Sequence, residues 1–173
     1  GMGVAFGVEV RGGINGSLTN SGAINATASS NTFEGGKGFR RPSSAAIAYG
    51  VHVNGISGSF ANSGAINATA TLTTVDGGEG YGQAEAIGVR TTELSGSFTN
   101  SGTINATANG NGGAAYGVAA PDGFSGTLNN SGRITASAPG GMAYSLDIGD
   151  GGEGGRVGKG ASTPTGVVNN QAG

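Results

Sequence analysis

One thirteen-residue pattern occurs four times in this chain and constrains its fold more than any other feature. It reads G-[S/T]-[L/F]-x-N-S-G-x-I-[N/T]-A-[T/S]-A and spans 16–28, 58–70, 96–108 and 126–138. A shortened copy closes the chain at 166–173, and a second apolar segment precedes each copy, as in AYGVHV at 48–53. Repetition of this kind indicates a stack of similar structural units rather than one irregular core.

Each repeat unit predicts three short strands, because apolar and other residues alternate with a period of two. In the second unit, Val51 and Val53 belong to the first strand, Ile56 and Phe60 to the second, and Ile66 opens the third. An Asn-Ser-Gly turn joins the second strand to the third. We attribute this turn to the tolerance of Asn and Gly for positive φ.

Strands that repeat in this way predict a coil that climbs about 4.8 Å per turn, with identical residues stacked on one another. We therefore expect an all-β fold, a right-handed parallel β-helix (solenoid) of about five rungs of three short strands. The connections that vary in length all follow the third strand, which predicts loops at one corner. These connections are 29–47, 71–85, 109–114 and 139–142.

Composition limits the classes of function. The chain has 39 Gly in 173 residues, which alone would suggest disorder, but the net charge is only −2 and a narrow coil needs few large core residues. There are 8 basic against 10 acidic residues, so nucleic acid is not an expected partner. With no Cys and a single His, we expect no disulfide, no metal site and no cofactor. No apolar run is long enough for membrane insertion of this segment.

Several outward positions form columns along the predicted stack. Asn25 and Thr27, with their equivalents in later units, predict two polar ladders on one flat face. A structural role is the simpler interpretation, and a repetitive surface that binds ice or a polysaccharide is the alternative. Glu9, His52 and Arg90 occupy successive rungs and are interpreted as a solvated charge ladder.

Two further sets of residues are candidates for chemistry or binding. Glu93 and Asp122 form the best carboxylate pair for glycoside hydrolysis, at about 5 Å if they stack on adjacent rungs. No cleft or aromatic platform is expected around them. An aromatic column could form a sugar-stacking strip. Its members lie two positions before an inward residue such as Val51, and side chains two apart in a strand share a face, so we expect the column inside the core. It consists of Phe6, Tyr49, Ile87, Tyr116 and Tyr144.

The largest variable connection, 29–47, is the candidate ligand-binding loop. Its aromatic and basic side chains could contact a host or matrix glycan or protein, and the alternative is that the two Phe residues fold back over the coil. The candidate residues are Phe33, Lys37, Phe39, Arg40 and Arg41.

The N-S-G-x-I repeat with its preceding A-Y-G-V strands resembles the passenger domains of Gram-negative autotransporters and outer-membrane-anchored surface adhesins. The resemblance covers residues 3–148 and 166–173 and implies a β-helical fragment of a longer surface protein. It implies an extracellular location, with a tether to the outer membrane outside this sequence. We treat 1–173 as a single domain that includes a Gly-rich excursion at 149–166.

The resulting prediction is a structural or adhesive surface module that is not an enzyme. The first alternative is a β-helical domain that binds or degrades polysaccharide, which would need clustered acidic or basic residues on one sheet. The second is an ice-binding or calcium-binding solenoid, although the Gly-Gly-x-Gly segments match the calcium-binding nonapeptide poorly. A further possible partner is another coil, stacked end to end through the open ends.

Overall fold

The computed structural model describes residues 1–32, 44–74, 82–110, 112–149, 156–157 and 167–170, the last two segments by their backbone only. Within these ranges every regular element is a strand. Among the same residues, no helix is long and apolar enough to cross a membrane.

The first three repeat units each contribute three strands. They are β1 (Met2–Ile14), β2 (Ser17–Asn20), β3 (Ala23–Thr32), β4 (Ser44–Ile56), β5 (Ser59–Asn62), β6 (Ala65–Thr74), β7 (Gly82–Leu94), β8 (Ser97–Asn100) and β9 (Thr103–Asn109). The fourth unit contributes four and the last part of the chain three. They are β10 (Ala114–Ala120), β11 (Gly123–Phe124), β12 (Thr127–Asn130), β13 (Arg133–Ser137), β14 (Met142–Ile148), β15 (Arg156–Val157) and β16 (Val167–Asn170).

Strands of successive units pair in parallel and build three sheets. The first sheet has the order β1-β4-β7-β10-β14-β15, with β11 also on β7. The second has the order β16-β12-β8-β5-β2, and the third β13-β9-β6-β3. Only the β14–β15 pair is antiparallel among the described strands. Equivalent residues lie opposite one another, as Ile24 does with Ile66 and Ile66 with Ile104. The predicted all-β stack of parallel strands is confirmed.

Strand boundaries differ from the prediction in two places. Ile14 and Ile56 end strands of the first sheet, so the second-sheet strands begin only at Ser17 and Ser59. The variable connections are also shorter than expected, because β3 runs to Thr32 and β4 starts at Ser44. Regular pairing thus extends well into segments that look non-repetitive in the sequence.

The core has a wide part and a narrow part. Large side chains from all three sheets meet in the wide part, with Val51 from the first, Phe60 from the second and Ile66 from the third. Alanines such as Ala48 and Ala68 fill the narrow part between the first and third sheets. Because Ala needs little space, the chain builds a buried core from few large aliphatic residues.

Glycine reverses the side-chain alternation in the middle of the first-sheet strands. Ala48 and Val51 are both fully buried core residues, although they are three positions apart. Between them, a Cβ at Gly50 would overlap the Ile66 side chain and the Gly88 carbonyl oxygen. Equivalent overlaps occur at Gly7, Gly88 and Gly117. The strand therefore turns at this glycine, and Tyr49 faces outward with His52.

The glycine of the Asn-Ser-Gly turn has a different reason from the one we expected. Among the described glycines, positive φ occurs only at Gly110, Gly112 and Gly140, none of which belongs to these turns. A Cβ at Gly64 would overlap the carbonyl oxygen of Gly22 one unit below. The turn needs glycine because successive turns are stacked closely, and the positive-φ explanation was wrong for this glycine.

Candidate functional site

A buried asparagine ladder links successive units beneath the outer surfaces. It consists of Asn20, Asn62, Asn100 and Asn130, at most 8% exposed. Each Nδ2 donates to the Oδ1 of the next unit, at 2.8, 2.7 and 2.7 Å. The same Nδ2 atoms lie 3.2–3.3 Å from the carbonyl oxygen of the turn glycine two residues on. The repeated Asn was visible in the sequence, but its burial was not predicted.

The outer face of the third sheet carries the predicted polar ladder. Nδ2 of Asn67 donates to Oδ1 of Asn25 at 2.8 Å, and Nδ2 of Asn105 donates to Oδ1 of Asn67 at 2.9 Å. Thr135 continues the chain with its hydroxyl, which donates to Asn105 at 2.6 Å. The neighbouring column begins with Thr27, which lies opposite Thr69. Neighbouring amides are thus hydrogen-bonded to one another along the stack, and the predicted ladder is present.

The outer face of the first sheet carries an aromatic cluster, which corrects the expectation that the rings of this column lie in the core. Ile87, the fifth member of the column, lies opposite Tyr49 and is buried, at 1% exposed. The centroids of Phe6 and Tyr49 are 5.3 Å apart, and those of Tyr49 and His52 are 5.1 Å apart. Tyr116 and Tyr144 stack at 5.9 Å farther along. Because the rings cover one another's faces, they present mainly edges outward. Only the terminal ring, Phe6, is well exposed, at 41%.

The charged column beside this cluster is in register, as predicted, with Glu9 opposite His52 and His52 opposite Arg90. Glu9 forms its ion pair with Arg11 on its own strand at 3.6 Å. Burial lowers the pKa of His52, and Arg90 lowers it further, while Glu9 acts in the opposite direction. Its Nδ1 is buried without a hydrogen-bond partner in the described part of the chain. Burial and Arg90 therefore both favour the neutral imidazole.

Tyr49 shares this environment. Burial raises the pKa of its phenol, the Glu85 carboxylate raises it further, and Arg90 partly offsets both. A protonated phenol beside a neutral imidazole makes the aromatic cluster an uncharged surface near neutral pH.

Glu93 and Asp122, the candidate carboxylate pair, do not lie opposite each other, contrary to the prediction. The register places Gly123, not Asp122, opposite Glu93. The backbone N–H of Asp122 donates to the Thr92 carbonyl at 2.9 Å, which agrees with the one-residue offset. A groove of about 190 Å³ lies at the same corner and includes Asn15, Ser57 and Glu93. Over the described ranges, no three His, Cys, Asp or Glu residues gather in a way that could hold a metal ion.

The candidate loop residues Phe33, Lys37, Phe39, Arg40 and Arg41 lie outside the described residues. The structure does show the base of their insertion. Thr32 and Ser44 are 1% and 3% exposed, and the Ser44 hydroxyl donates to the Asn31 carbonyl at 3.1 Å. The Thr32 hydroxyl donates to the Thr73 carbonyl in the next unit at 3.3 Å. The insertion therefore leaves from and returns to a fixed, buried base.

The insertion points of successive units lie side by side. Thr32 is opposite Thr74, where the next insertion begins, and Ser44 is opposite Gly82, where it ends. Of the Gly-rich excursion at 149–166, the described part is Gly149 together with β15, which pairs with β14.

Comparison with known proteins adds no relative, because no protein-family model, no curated protein and no solved structure matches this chain.

Proposed function

We propose that this chain is a segment of a right-handed parallel β-helix that acts as a structural and adhesive module on a bacterial surface. The stack projects recognition loops from one corner and performs no chemistry. The observation that carries this proposal is the alignment of the insertion points, with Thr32 beside Thr74 and Ser44 beside Gly82. Insertions gathered on one side of a repeat stack are a common form of binding face.

The three-sided coil is supported by the shared core. Val51, Phe60 and Ile66 belong to one repeat unit and to three different sheets, yet they pack in one buried cluster. One unit cannot bury its apolar face alone, so neighbouring units stabilise each other. The right hand is the one that parallel crossovers favour.

The surface location and the passenger-type identity rest on the resemblance of the repeat. Recognition of a host or matrix glycan or protein is assigned to the 33–43 insertion, which holds two aromatic and three basic residues. Such a composition suits a sulfated or otherwise acidic ligand, because Arg and Lys bind anionic groups with charge-assisted hydrogen bonds. The enzyme alternative is not proposed, since its best carboxylate pair is out of register.

Loop exchange on the whole chain tests recognition. Residues 33–43 are replaced by the short connection that the chain uses at 110–113, and binding is measured on neutral and sulfated glycan arrays and on immobilised matrix proteins. We expect the unmodified chain to bind a sulfated glycan or a matrix protein and the exchanged chain to lose that binding. A second variant keeps the loop length and replaces Lys37, Arg40 and Arg41 with Ser.

The matched control makes the same exchange at 75–81. This variant should keep both the melting temperature and the binding. Binding that survives removal of 33–43, or a chain that binds nothing on either surface, would rule out recognition by this loop.

A further inference from the structure

The groove at the corner between the first and second sheets crosses three successive units. Its volume is about 190 Å³. It is lined by Gly13, Asn15, Gly55, Ile56, Ser57, Glu93 and Ser95. Because neighbouring units follow one another at about 4.8 Å, the groove runs along the axis of the stack. Its walls come from adjacent units, so it does not depend on how long the stack is.

Two glycines leave the space that forms the groove. Gly13 lies opposite Gly55, and Gly55 lies opposite Glu93, so the three residues form one column. Glu93 shows that this column accepts a side chain. A Cβ at Gly55 would meet only the Glu93 carbonyl oxygen, at 3.9 Å, so close stacking does not require glycine there. The bare backbone instead gives the groove a floor that a ligand can approach closely.

The side chains beside this floor can both donate and accept hydrogen bonds. The Ser57 hydroxyl donates to Oδ1 of Asn15 at 2.7 Å, which orients the amide. The Nδ2 group of Asn15 has no partner among the described residues. Within the same ranges, the exposed carboxylate of Glu93 has neither an ion pair nor a hydrogen bond. A donor and a strong acceptor are therefore both available to a ligand.

The walls of the groove are held by hydrogen bonds between units. The backbone N–H of Ser57 donates to the Ile14 carbonyl at 3.0 Å, and that of Ser95 donates to the Ile56 carbonyl at 2.9 Å. The polar side chains thus stand on backbone that is fixed before any ligand arrives. A preformed site of this kind lowers the entropic cost of binding.

We propose that this groove binds a neutral hexose residue of a polysaccharide whose chain runs along the stack. Neighbouring hydroxyls of one sugar ring can donate to the Glu93 carboxylate and accept from Nδ2 of Asn15. Hydrogen bonds to a carboxylate are about twice as strong as those between neutral groups. The C–H groups of the ring pack against the backbone of Gly13 and Gly55.

Charge selects the class of ligand. Glu93 disfavours an acidic sugar, and Arg11, which follows β1 toward this corner, is already paired with Glu9. A bare metal ion is less suited than a sugar, because Glu93 is the one carboxylate among the lining residues. The groove also lies at a different corner from the 33–43 insertion, which leaves β3 and returns to β4. It is therefore a second site, beyond the recognition proposed for that insertion.

The test is a nuclear magnetic resonance titration of the whole chain with hexasaccharides of glucose, mannose and galactose. We expect one of them to shift the backbone amide signals of Gly13, Gly55 and Ser95. Its affinity should be the same at low and high salt, because the ligand carries no charge for salt to screen.

Two variants alter the groove in different ways. Gly55→Val fills it with a side chain that suits a strand, and should abolish binding. Glu93→Gln keeps the size of the side chain but removes its charge, and should weaken binding about tenfold. Circular dichroism should show the same strand spectrum for both variants as for the unmodified chain.

The matched controls are Ala61→Val and Glu85→Gln, which make similar changes away from the groove. Ala61 lies opposite Thr19 and Thr99, so a branched side chain is accepted there. Both controls should bind as the unmodified chain does.

Exchange of 33–43 for the short connection should also leave the binding intact, so the groove and the insertion are tested separately. Absence of shifts at the groove with all three hexasaccharides would overturn the proposal. So would binding that is lost on loop exchange, or that survives both Gly55→Val and Glu93→Gln.

Discussion

At the scale of single residues, the Asn and the Gly of one turn stabilise the stack in different ways. Asn62 donates to Asn100 and accepts from Asn20, so it links three units through one side chain. Gly64 contributes by having no side chain, because the turn below approaches too closely for a Cβ. Both roles depend on stacking, and neither would exist in an isolated unit.

Gly64→Ala should destabilise the protein by about 1–3 kcal/mol, because the new methyl group would overlap the Gly22 carbonyl and force the units apart. The matched control is Gly22→Ala, where a Cβ would meet nothing within 4 Å. It should change stability by less than about 0.5 kcal/mol. Urea unfolding at a fixed protein concentration measures both. Equal losses at the two positions would show that stacking is not what requires glycine at 64.

Asn62→Ala should also cost about 1–3 kcal/mol, because it leaves buried groups of Asn20 and Asn100 without their partners. Asn67→Ala removes two similar bonds from the outer ladder, where water can replace them, and should cost less than about 0.5 kcal/mol. Urea unfolding of both variants measures the two losses of stability. A larger loss for the Asn67 variant would contradict the assignment of the inner ladder as the stabilising one.

At the scale of strands, the break in alternation at Gly50 decides which side chains are available for binding. The sequence predicted three strands per unit and the stacking of identical residues, because both follow from period and repetition. It placed Tyr49 inside, because residues two positions apart in a regular strand share a face and Val51 faces the core. The count failed because the strand turns at Gly50, where Ile66 from the opposite sheet fills the space.

The candidate sites were predicted less completely than the fold. The outer ladder of Asn25, Asn67 and Asn105 was expected and is present, because outward parity in the third strand is unbroken. The pairing of Glu93 with Asp122 failed by one residue. Turn length sets the register at that corner, and the chain leaves β10 at Ala120 and starts β11 at Gly123. Periodicity does not contain that information.

The outer face of β1, β4 and β7 should make stability depend on pH through His52. Its pKa is lowered in the folded state, chiefly by burial, so the unfolded chain binds the proton more readily. The contribution of the neutral His52 to the stability of the folded protein is complete above the ordinary His pKa of about 6.5. It is lost as the pH falls through the lower pKa that His52 has in the folded state. Urea unfolding at pH 7.5 and 5.0 measures this loss.

His52→Phe is the control for that measurement, because it keeps a ring beside Tyr49 and removes the titrating group. The loss of stability between the two pH values should be smaller in this variant than in the unmodified chain. An identical loss in both proteins would show that carboxylates, not His52, cause the pH dependence.

At the scale of the whole molecule, stability should be a sum over units and the interfaces between them. The registers support this, because Asn67 and Asn105 occupy equivalent positions in successive strands. A chain built in this way can lose a complete turn and still close its stack. It cannot lose a fraction of one.

Deletion of 67–104 should therefore leave a folded protein. It removes one full turn, the 38 residues that separate equivalent positions of the second and third units, and joins Ile66 directly to Asn105. Circular dichroism should retain the strand spectrum, and the midpoint of urea unfolding should fall because one unit and one interface are lost. Deletion of 67–85, about half a turn, should unfold the chain. Equal behaviour of the two deletions would contradict the additive description.

The spacing of the inner asparagines also has a consequence for the time the chain needs to fold. Neighbours in that ladder are 42, 38 and 30 residues apart along the sequence, so each new contact must close a large loop. Such separations, about a fifth of the chain length, are typical of proteins that fold in milliseconds to seconds. Once two units have met, the pair offers a complete edge to the next unit. Folding should therefore begin with a slow nucleus and then advance one turn at a time.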